Sequence, residues 1–230
     1  MAYDTLLRSV LRNAGLGSYQ DIGCNGSNVN FVLGKPGGKS FHFWCYTPTV
    51  AGFETALNGA NGAPPGEDYQ VLVPSDLTDP KNVSGLATFA SPVTISRAVI
   101  VFSPANVTVG SGMEVEADLA VAAGNTSGLV AVVNGDLTVD SAVGTLDGVY
   151  IFNGDFADGT GNGNLALTGS GSLVSLSSGG FPGGGAKGLI RQMSLSSLPG
   201  EVFTYQPKYL LLFRFALALP PVTWRELPPQ

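Results

Sequence analysis

The sequence predicts a mainly β protein whose centre is a right-handed parallel β-solenoid, flanked by a small N-terminal helix-plus-hairpin region and a C-terminal cap. Composition is the first observation behind this prediction. The 230 residues include 32 glycines and 15 prolines, and charged residues make up only 12%. That fraction is about half the usual value of roughly 25%. Strands and turns are therefore expected, whereas long salt-bridged helices and coiled coils are not.

Recurring β-prone runs are the second observation. They follow one another between about residues 92 and 180, and each is closed by Gly, Asn or Asp. The runs are residues 93–95, 99–102, 107–109, 113–115, 129–133, 137–139, 149–152, 165–167 and 173–176. A β-sandwich spaces its strands in a similar way, so spacing alone leaves both architectures open.

A repeated corner is the third observation, and it favours the solenoid. The tripeptide Asn-Gly-Asp occupies residues 134–136 and recurs 19 positions later at 153–155, and Thr-Gly-Ser at 168–170 stands in the same relation to its preceding run. Equivalent corners of a solenoid stack about 4.8 Å apart, where small residues that adopt positive φ are favoured. Each coil must stack on the next to bury its apolar side, whereas a sandwich has no reason to reuse one corner.

These patterns divide the chain into three regions. Residues 1–84 form an N-terminal α+β region with a helix at 4–13 and a hairpin made of 28–33 and 40–46. A loop-rich connector follows from 47 to 84 and contains one apolar run, at 69–73. Residues 85–180 form the β-solenoid. Residues 181–230 form a C-terminal cap and return segment, because the last coil of a solenoid exposes strand edges that need a cover.

Two cysteines, Cys24 and Cys45, lie on either side of the predicted hairpin turn. Their even number and the Gly/Ser/Thr/Asn-rich composition favour a disulfide in an exported protein, and two buried free thiols are the alternative. A disulfide closing this loop would stabilise the fold by about 3 kcal/mol. A zinc site is disfavoured, because the chain contains a single histidine, His42.

The second hairpin strand alternates with period two, which places Phe41, Phe43 and Cys45 on one face. His42, Trp44 and Tyr46 fall on the other face. These three are candidate glycan contacts, since aromatic rings on an outward face stack on sugars. The competing interpretation is that both faces are covered, one by the N-terminal helix and one by the solenoid.

Five aspartates cluster at or near the predicted corners: Asp136, Asp140, Asp147, Asp155 and Asp158. Stacked corners would bring carboxylates together as calcium ligands or as the acid and base of a glycoside hydrolase. A lyase is disfavoured, because Arg97 is the only basic residue between 85 and 180. The simpler interpretation is that these aspartates cap turns through hydrogen bonds to backbone amides. The metal content is left open.

Charge excludes one class of partner. The formal net charge is −6, and residues 85–180 carry eight acidic residues against one basic residue. Nucleic acid is not an expected partner, because affinity for phosphate backbones depends on Lys and Arg.

No apolar stretch approaches the ~20 residues of a membrane span. The exported character of the composition predicts that Met1 replaces a targeting or anchoring segment.

The C-terminal half also carries a sequence resemblance. Its segments VVNGDLTVD (132–140), LDGVYI (146–151), 165–173, 199–210 and TWRELP (223–228) stand in an order and spacing similar to a group of uncharacterised exported proteins abundant in candidate-phyla-radiation bacteria. The resemblance covers about residues 130–230. It implies an extracellular or envelope-attached β-solenoid behind a pilin-like N-terminal membrane segment, of which the helix at 4–13 is the truncated remainder. It implies no catalytic residues.

The function that this sequence favours is that of a non-catalytic extracellular or cell-surface protein. It would serve as a structural stalk or adhesive module, in the form of a pilin-like filament subunit without its anchor. The expected partners are other surface-protein subunits or surface glycans, and calcium is the one cofactor considered. The alternative is a carbohydrate-binding or polysaccharide-cleaving β-helix protein, which as an enzyme would be a glycoside hydrolase.

Overall fold

The computed structural model of the chain describes residues 2–24, 30–33, 40–63, 69–75, 87–89, 93–110, 112–115, 127–158, 162–163, 166–176, 192–193 and 201–217. Three α-helices and a 3-10 helix lie in these residues, namely α1 Ala2–Asn13, the 3-10 helix Tyr19–Ile22, α2 Val50–Asn61 and α3 Pro207–Leu217. The strands are β1 Asn30–Leu33, β2 Phe41–Tyr46, β3 Tyr69–Pro74, β4 Ala87–Phe89, β5 Val93–Ile95, β6 Ala98–Ser103, β7 Val107–Val109, β8 Met113–Val115, β9 Gly128–Val133, β10 Leu137–Val139, β11 Gly148–Phe152, β12 Phe156–Ala157, β13 Asn162–Gly163, β14 Leu167–Ser175, β15 Gln192–Met193 and β16 Glu201–Thr204.

The strands form parallel sheets, which confirms the predicted mainly β class. A large sheet has the order β1-β2-β3-β6-β9-β11-β14-β16, and a small sheet has the order β12-β10-β7-β4. The hairpin pair β1 and β2 is antiparallel, and every other described pair is parallel. Two further parallel pairs, β5 with β8 and β13 with β15, are separate from both sheets.

The chain alternates between the two sheets, running from β6 to β7, from β9 to β10 and from β11 to β12. Residues Val101, Ala131, Tyr150 and Leu173 stand side by side in successive strands of the large sheet. Each pass, meaning the stretch of chain from one strand of the large sheet to the next, thus takes 30, 19 and 23 residues in turn. Side chains of like character therefore stack in rows across the sheet.

Two hydrophobic cores lie on opposite faces of the large sheet. The inner core fills the space between the two sheets and includes Val101, Ala131 and Leu137. The outer core lies between the large sheet and the helices α1 and α3, and includes Ile100 and Val130. Because successive residues of a strand point to opposite faces, all six residues of β6 and of β9 are buried.

The N-terminal region matches the sequence prediction in its helix and its hairpin, but not in its connector. The helix expected at 4–13 is α1, and the hairpin is β1 with β2. The prediction of a loop-rich connector from 47 to 84 is wrong where α2 and β3 lie. Helix α2 buries Phe53, Ala56, Leu57 and Ala60 at helical spacing. Its glycines and asparagines give it the composition of a loop, which masked that spacing.

Helix α3 lies on the outer face of the large sheet, beside α1. The Asn13 side-chain amide donates to the Ala216 carbonyl at 3.0 Å, and the Tyr69 hydroxyl donates to the Leu212 carbonyl at 2.7 Å. Gly128, at the start of β9, lets α3 approach closely, since a Cβ there would lie 2.6 Å from a δ-carbon of Leu212. The cap predicted at 181–230 falls largely on residues 181–191, 194–200 and 218–230, which lie outside the described residues.

Candidate functional site

Stacked corners connect the large sheet to the small one, as the repeated tripeptide predicts. The Asn106 side-chain oxygen accepts from the Asp136 amide at 2.9 Å, and the Asp136 carboxylate accepts from the Asp155 amide at 2.8 Å. We call this the corner ladder. Beside it, the Asn153 carboxamide donates to the Asn134 carboxamide at 2.7 Å. The third predicted corner, at 168–170, is wrong, because those residues lie inside β14.

The corner glycines are required because neighbouring corners approach too closely to leave room for a Cβ, and not because of their backbone conformation. Neither Gly135 nor Gly154 has positive φ, so the expectation of left-handed corners is wrong. A Cβ on Gly135 would overlap the Asn106 side-chain oxygen, and a Cβ on Gly154 would overlap that of Asp136. Each side-chain oxygen of the corner ladder therefore occupies the space that a glycine on the next corner leaves open.

The five candidate aspartates do not converge on one point. Asp140 accepts from the Ala142 amide at 2.9 Å, and Asp147 accepts from the amide and the hydroxyl of Ser170, both at 2.7 Å. Asp136 and Asp155 are neighbours in the corner ladder, as expected. Asp158 is fully buried just after β12. Among the described residues no three His, Cys, Asp or Glu side chains are placed to hold a metal ion.

The structure closes the proposed glycan-binding face of β2. His42 is 6% exposed and stacks on Trp44 with ring centroids 4.6 Å apart. Tyr46 is fully buried, and its hydroxyl donates to the Phe102 carbonyl at 2.8 Å. A sugar ring cannot reach either His42 or Tyr46, so their assignment as glycan contacts is wrong.

Trp44 is half-buried beneath helix α2, and its indole N–H donates to the Gln70 side chain at 2.7 Å. Helix α2 covers this part of β2 closely, since a Cβ on Gly59 would lie 2.5 Å from the indole ring. Sequence alternation identifies the face of the strand but does not reveal α2 as its cover. Trp44 thus belongs to the contact between β2 and α2.

Burial controls the ionisation of the tyrosines in the two cores. Desolvation raises the pKa of Tyr46 well above its ordinary value, and it does the same for the pKa of Tyr150 and of Tyr3. The Tyr150 hydroxyl donates to the Asp147 carbonyl at 3.0 Å. All three side chains therefore remain neutral over the physiological pH range.

The predicted disulfide is present and joins Cys24 to Cys45, with Cα atoms 5.8 Å apart. Cys45 is fully buried on β2, whereas Cys24 is half-buried and follows the 3-10 helix. The Tyr19 hydroxyl points at the Cys24 sulfur at 3.9 Å. The bond fastens the segment after α1 to the large sheet.

A groove of about 600 Å³ lies between α1 and the 3-10 helix. Leu7 and Leu11 are its buried apolar wall, and the exposed Arg8 and Arg12 stand at its rim with Asp4. Sequence reasoning missed this groove, although the spacing of Arg8 and Arg12 places both on one side of the helix. An apolar wall with two guanidinium groups above it suits groups that combine apolar and acidic character.

Comparison of the chain with family models, with curated proteins and with solved structures finds no match. Among the described residues, no helix has both the length and the apolar character that crossing a membrane requires.

Proposed function

We propose that the protein is a non-catalytic extracellular or cell-surface protein that serves as a structural stalk or adhesive module. Its core in this proposal is a right-handed parallel β-solenoid, and the protein is presented at the surface as a pilin-like subunit. Other surface-protein subunits or surface glycans are its partners. The observation that carries the proposal is the in-register parallel stack of β6, β9, β11 and β14, joined to the small sheet by hydrogen-bonded corners.

The alternation of the chain between two parallel sheets supports the solenoid. Rows such as Val107, Leu137 and Phe156 in the small sheet face rows such as Val101, Ala131 and Tyr150 in the large sheet across the inner core. The crossover connection between two parallel strands of one sheet is right-handed in nearly all known cases, which supports a right-handed solenoid. Such a stack is rigid along its length, because each strand is held by backbone hydrogen bonds on both sides.

Three observations support a role outside the cell. The Cys24–Cys45 disulfide is a type of bond that persists in oxidising compartments. The charged fraction of 12% is about half the roughly 25% that is usual in globular domains, and we take this composition as typical of an exported protein. The resemblance of residues 130–230 to exported proteins points in the same direction. Asp136, Asp140 and Asp147 accept hydrogen bonds from backbone amides, which supports a structural role for the acidic corners.

Surface labelling tests the location. Cells that express the complete native gene are treated with a membrane-impermeant amine reagent before and after lysis. We expect the protein to be labelled on intact cells to the same extent as a known surface protein. Labelling that appears only after lysis would overturn the proposal, and a cytosolic protein measured in the same samples controls for leakage.

A polysaccharide panel tests the absence of catalysis. Wild type and Asp155→Asn are incubated with neutral and acidic polysaccharides, and new reducing ends are measured. We expect neither protein to release any. Cleavage by the wild type that the variant has lost would replace the proposal with the glycoside hydrolase alternative.

A further inference from the structure

The two Asn-Gly corners have the same sequence but different hydrogen bonding. The Gly154 amide donates to the Gly135 carbonyl at 2.9 Å, which fixes the backbone nitrogen that follows Asn153. Within the described part of the chain, no residue accepts from the Gly135 amide, the nitrogen that follows Asn134. Asn134 is also exposed to solvent.

The side-chain hydrogen bond between the corners adds to this difference. The Asn153 carboxamide nitrogen donates to the Asn134 carboxamide oxygen at 2.7 Å. The donated hydrogen withdraws electron density from the carbonyl carbon of Asn134, which makes that carbon more electrophilic. The same bond holds the nitrogen of Asn153 in place. Asn134 therefore has an available neighbouring nitrogen and an activated carbonyl, whereas both nitrogens at Asn153 are engaged.

We propose that Asn134 is a site of spontaneous covalent modification, at which its side-chain amide is lost through a cyclic imide. The Gly135 nitrogen bonds to the side-chain carbonyl carbon of Asn134, the carbon–nitrogen bond of the carboxamide breaks, and ammonia leaves with the proton from the Gly135 nitrogen. Water then opens the ring at one of its two carbonyl carbons, which yields aspartate or isoaspartate. Water is the only co-reactant, and nothing is oxidised or reduced.

Other Asn-Gly pairs in the chain serve as internal references. Gly59 lies inside α2, where its amide donates to the carbonyl four residues earlier. The Gly62 amide donates to the Asn58 carbonyl at 2.9 Å, and the Asn61 carboxamide donates to the Thr94 carbonyl at 3.1 Å. The glycine amide or the asparagine carboxamide nitrogen is thus held by a hydrogen bond at Asn58, Asn61 and Asn153, whereas at Asn134 neither nitrogen donates to a described residue.

Modification at Asn134 changes the corner in two ways. Either product adds a negative charge next to Asp136 and Asp155. Isoaspartate also lengthens the main chain by one carbon, which displaces the Gly135 carbonyl from the Gly154 amide that donates a hydrogen bond to it. Isoaspartate therefore disrupts the stacked corners, whereas aspartate leaves the path of the backbone intact.

Peptide mapping by mass spectrometry tests this proposal on the full chain. The folded protein is incubated at mildly alkaline pH, and amide loss is followed at each Asn-Gly pair. We expect Asn134 to react about tenfold faster than Asn153, since a backbone and a side-chain hydrogen bond must open at Asn153 first. In denaturant with the disulfide reduced, the two sites should react at similar rates. Equal rates in the folded protein would overturn the proposal.

The variant Asn153→Ala tests the activating hydrogen bond. It removes the donor to the Asn134 carbonyl and leaves the Gly135 amide as it is, so amide loss at Asn134 should slow. An unchanged rate would contradict the activation. Asn61 in the same sample reports on folding, because its rate stays low while α2 is intact. The variant Asn134→Asp is the reference for the effect of modification on stability, because it carries the added charge without the longer main chain. Aged protein that contains isoaspartate at position 134 should have a lower melting temperature than this variant.

Discussion

Two passes between neighbouring strands of the large sheet use different structures for the same purpose. The pass from β2 to β3 takes 28 residues and runs through helix α2, whereas the pass from β9 to β11 takes 19 residues and runs through strand β10. Both deliver a parallel strand in register. Phe53 and Leu57 of α2 fill the inner core in the helical pass, and Leu137 and Val139 of β10 fill it in the strand pass.

The difference between the passes lies in what each can stack against. Strand β10 pairs with β7 on one side and with β12 on the other. Helix α2 contacts β2, β3 and β4, and β4 is the terminal strand of the small sheet. The Arg97 side chain donates to the Ala63 carbonyl at 3.1 Å and so ties the end of α2 to the next pass. The helical pass therefore covers the end of the inner core, while the strand pass extends it.

Removing a side chain from the helical cover should have the largest effect. Phe53 is fully buried and packs edge-to-face on Tyr46, with ring centroids 5.2 Å apart. We expect Phe53→Ala to lower the free energy of unfolding by about 3–5 kcal/mol. Leu137→Ala, the matched change in the strand pass, should lower it by about 2–5 kcal/mol. Urea titration measures both, and a change below ~1 kcal/mol for Phe53→Ala would contradict the role of α2 as a cover.

Breaking the disulfide should affect the N-terminal region more than the strand passes. The bond closes a loop between positions 21 residues apart. The double variant Cys24→Ala/Cys45→Ala should therefore lose about 3 kcal/mol of stability. Hydrogen exchange is expected to accelerate in α1 and the 3-10 helix while β9 and β11 keep their protection. Equal acceleration in all of these elements would show that the bond stabilises the whole fold instead, and reductant should leave the variant unchanged.

The strand passes were predictable from sequence, and the helical pass was not. The runs that form β6 and β9 are apolar, are closed by turn residues and are buried on both faces, so composition and spacing sufficed to predict them. The cover formed by α2 depends on Phe53 and Leu57 amid residues typical of loops. The disulfide followed from two cysteines with one plausible pairing. The prediction of glycan contacts was wrong at His42 and Tyr46, because the periodicity of a strand does not show which element covers each of its faces.

A substitution in a corner tests how closely the strand passes must stack. A Cβ at Gly154 would overlap Asp136 and lie 2.7 Å from the Gly135 carbonyl carbon. Gly154→Ala should therefore lower stability by about 1–3 kcal/mol, because backbone has to move. Gly112→Ala is the matched control, since no atom of the described residues lies within 4 Å of its Cβ position. Thermal melting should separate the two variants, and equal melting temperatures would mean that the corners tolerate a wider spacing.

The smallest effect at neutral pH is expected at the two buried tyrosines, one beside each pass. Tyr46→Phe removes the hydrogen bond to the Phe102 carbonyl, and Tyr150→Phe removes the one to the Asp147 carbonyl. Each change should lower stability by about 1 kcal/mol.

The pH dependence of the two tyrosine variants should differ from that of the wild type. Burial raises the pKa of Tyr46 and of Tyr150 in the folded state. Above the unfolded value of about 10, the unfolded chain loses these protons while the folded chain keeps them. The stability of the wild type is therefore undiminished below about pH 10. It declines as the pH rises from there toward the folded-state pKa values of the two tyrosines. Each variant lacks one such group, so urea titrations across this range should show a shallower decline. A slope equal to the wild type's would mean that the hydroxyl ionises without unfolding.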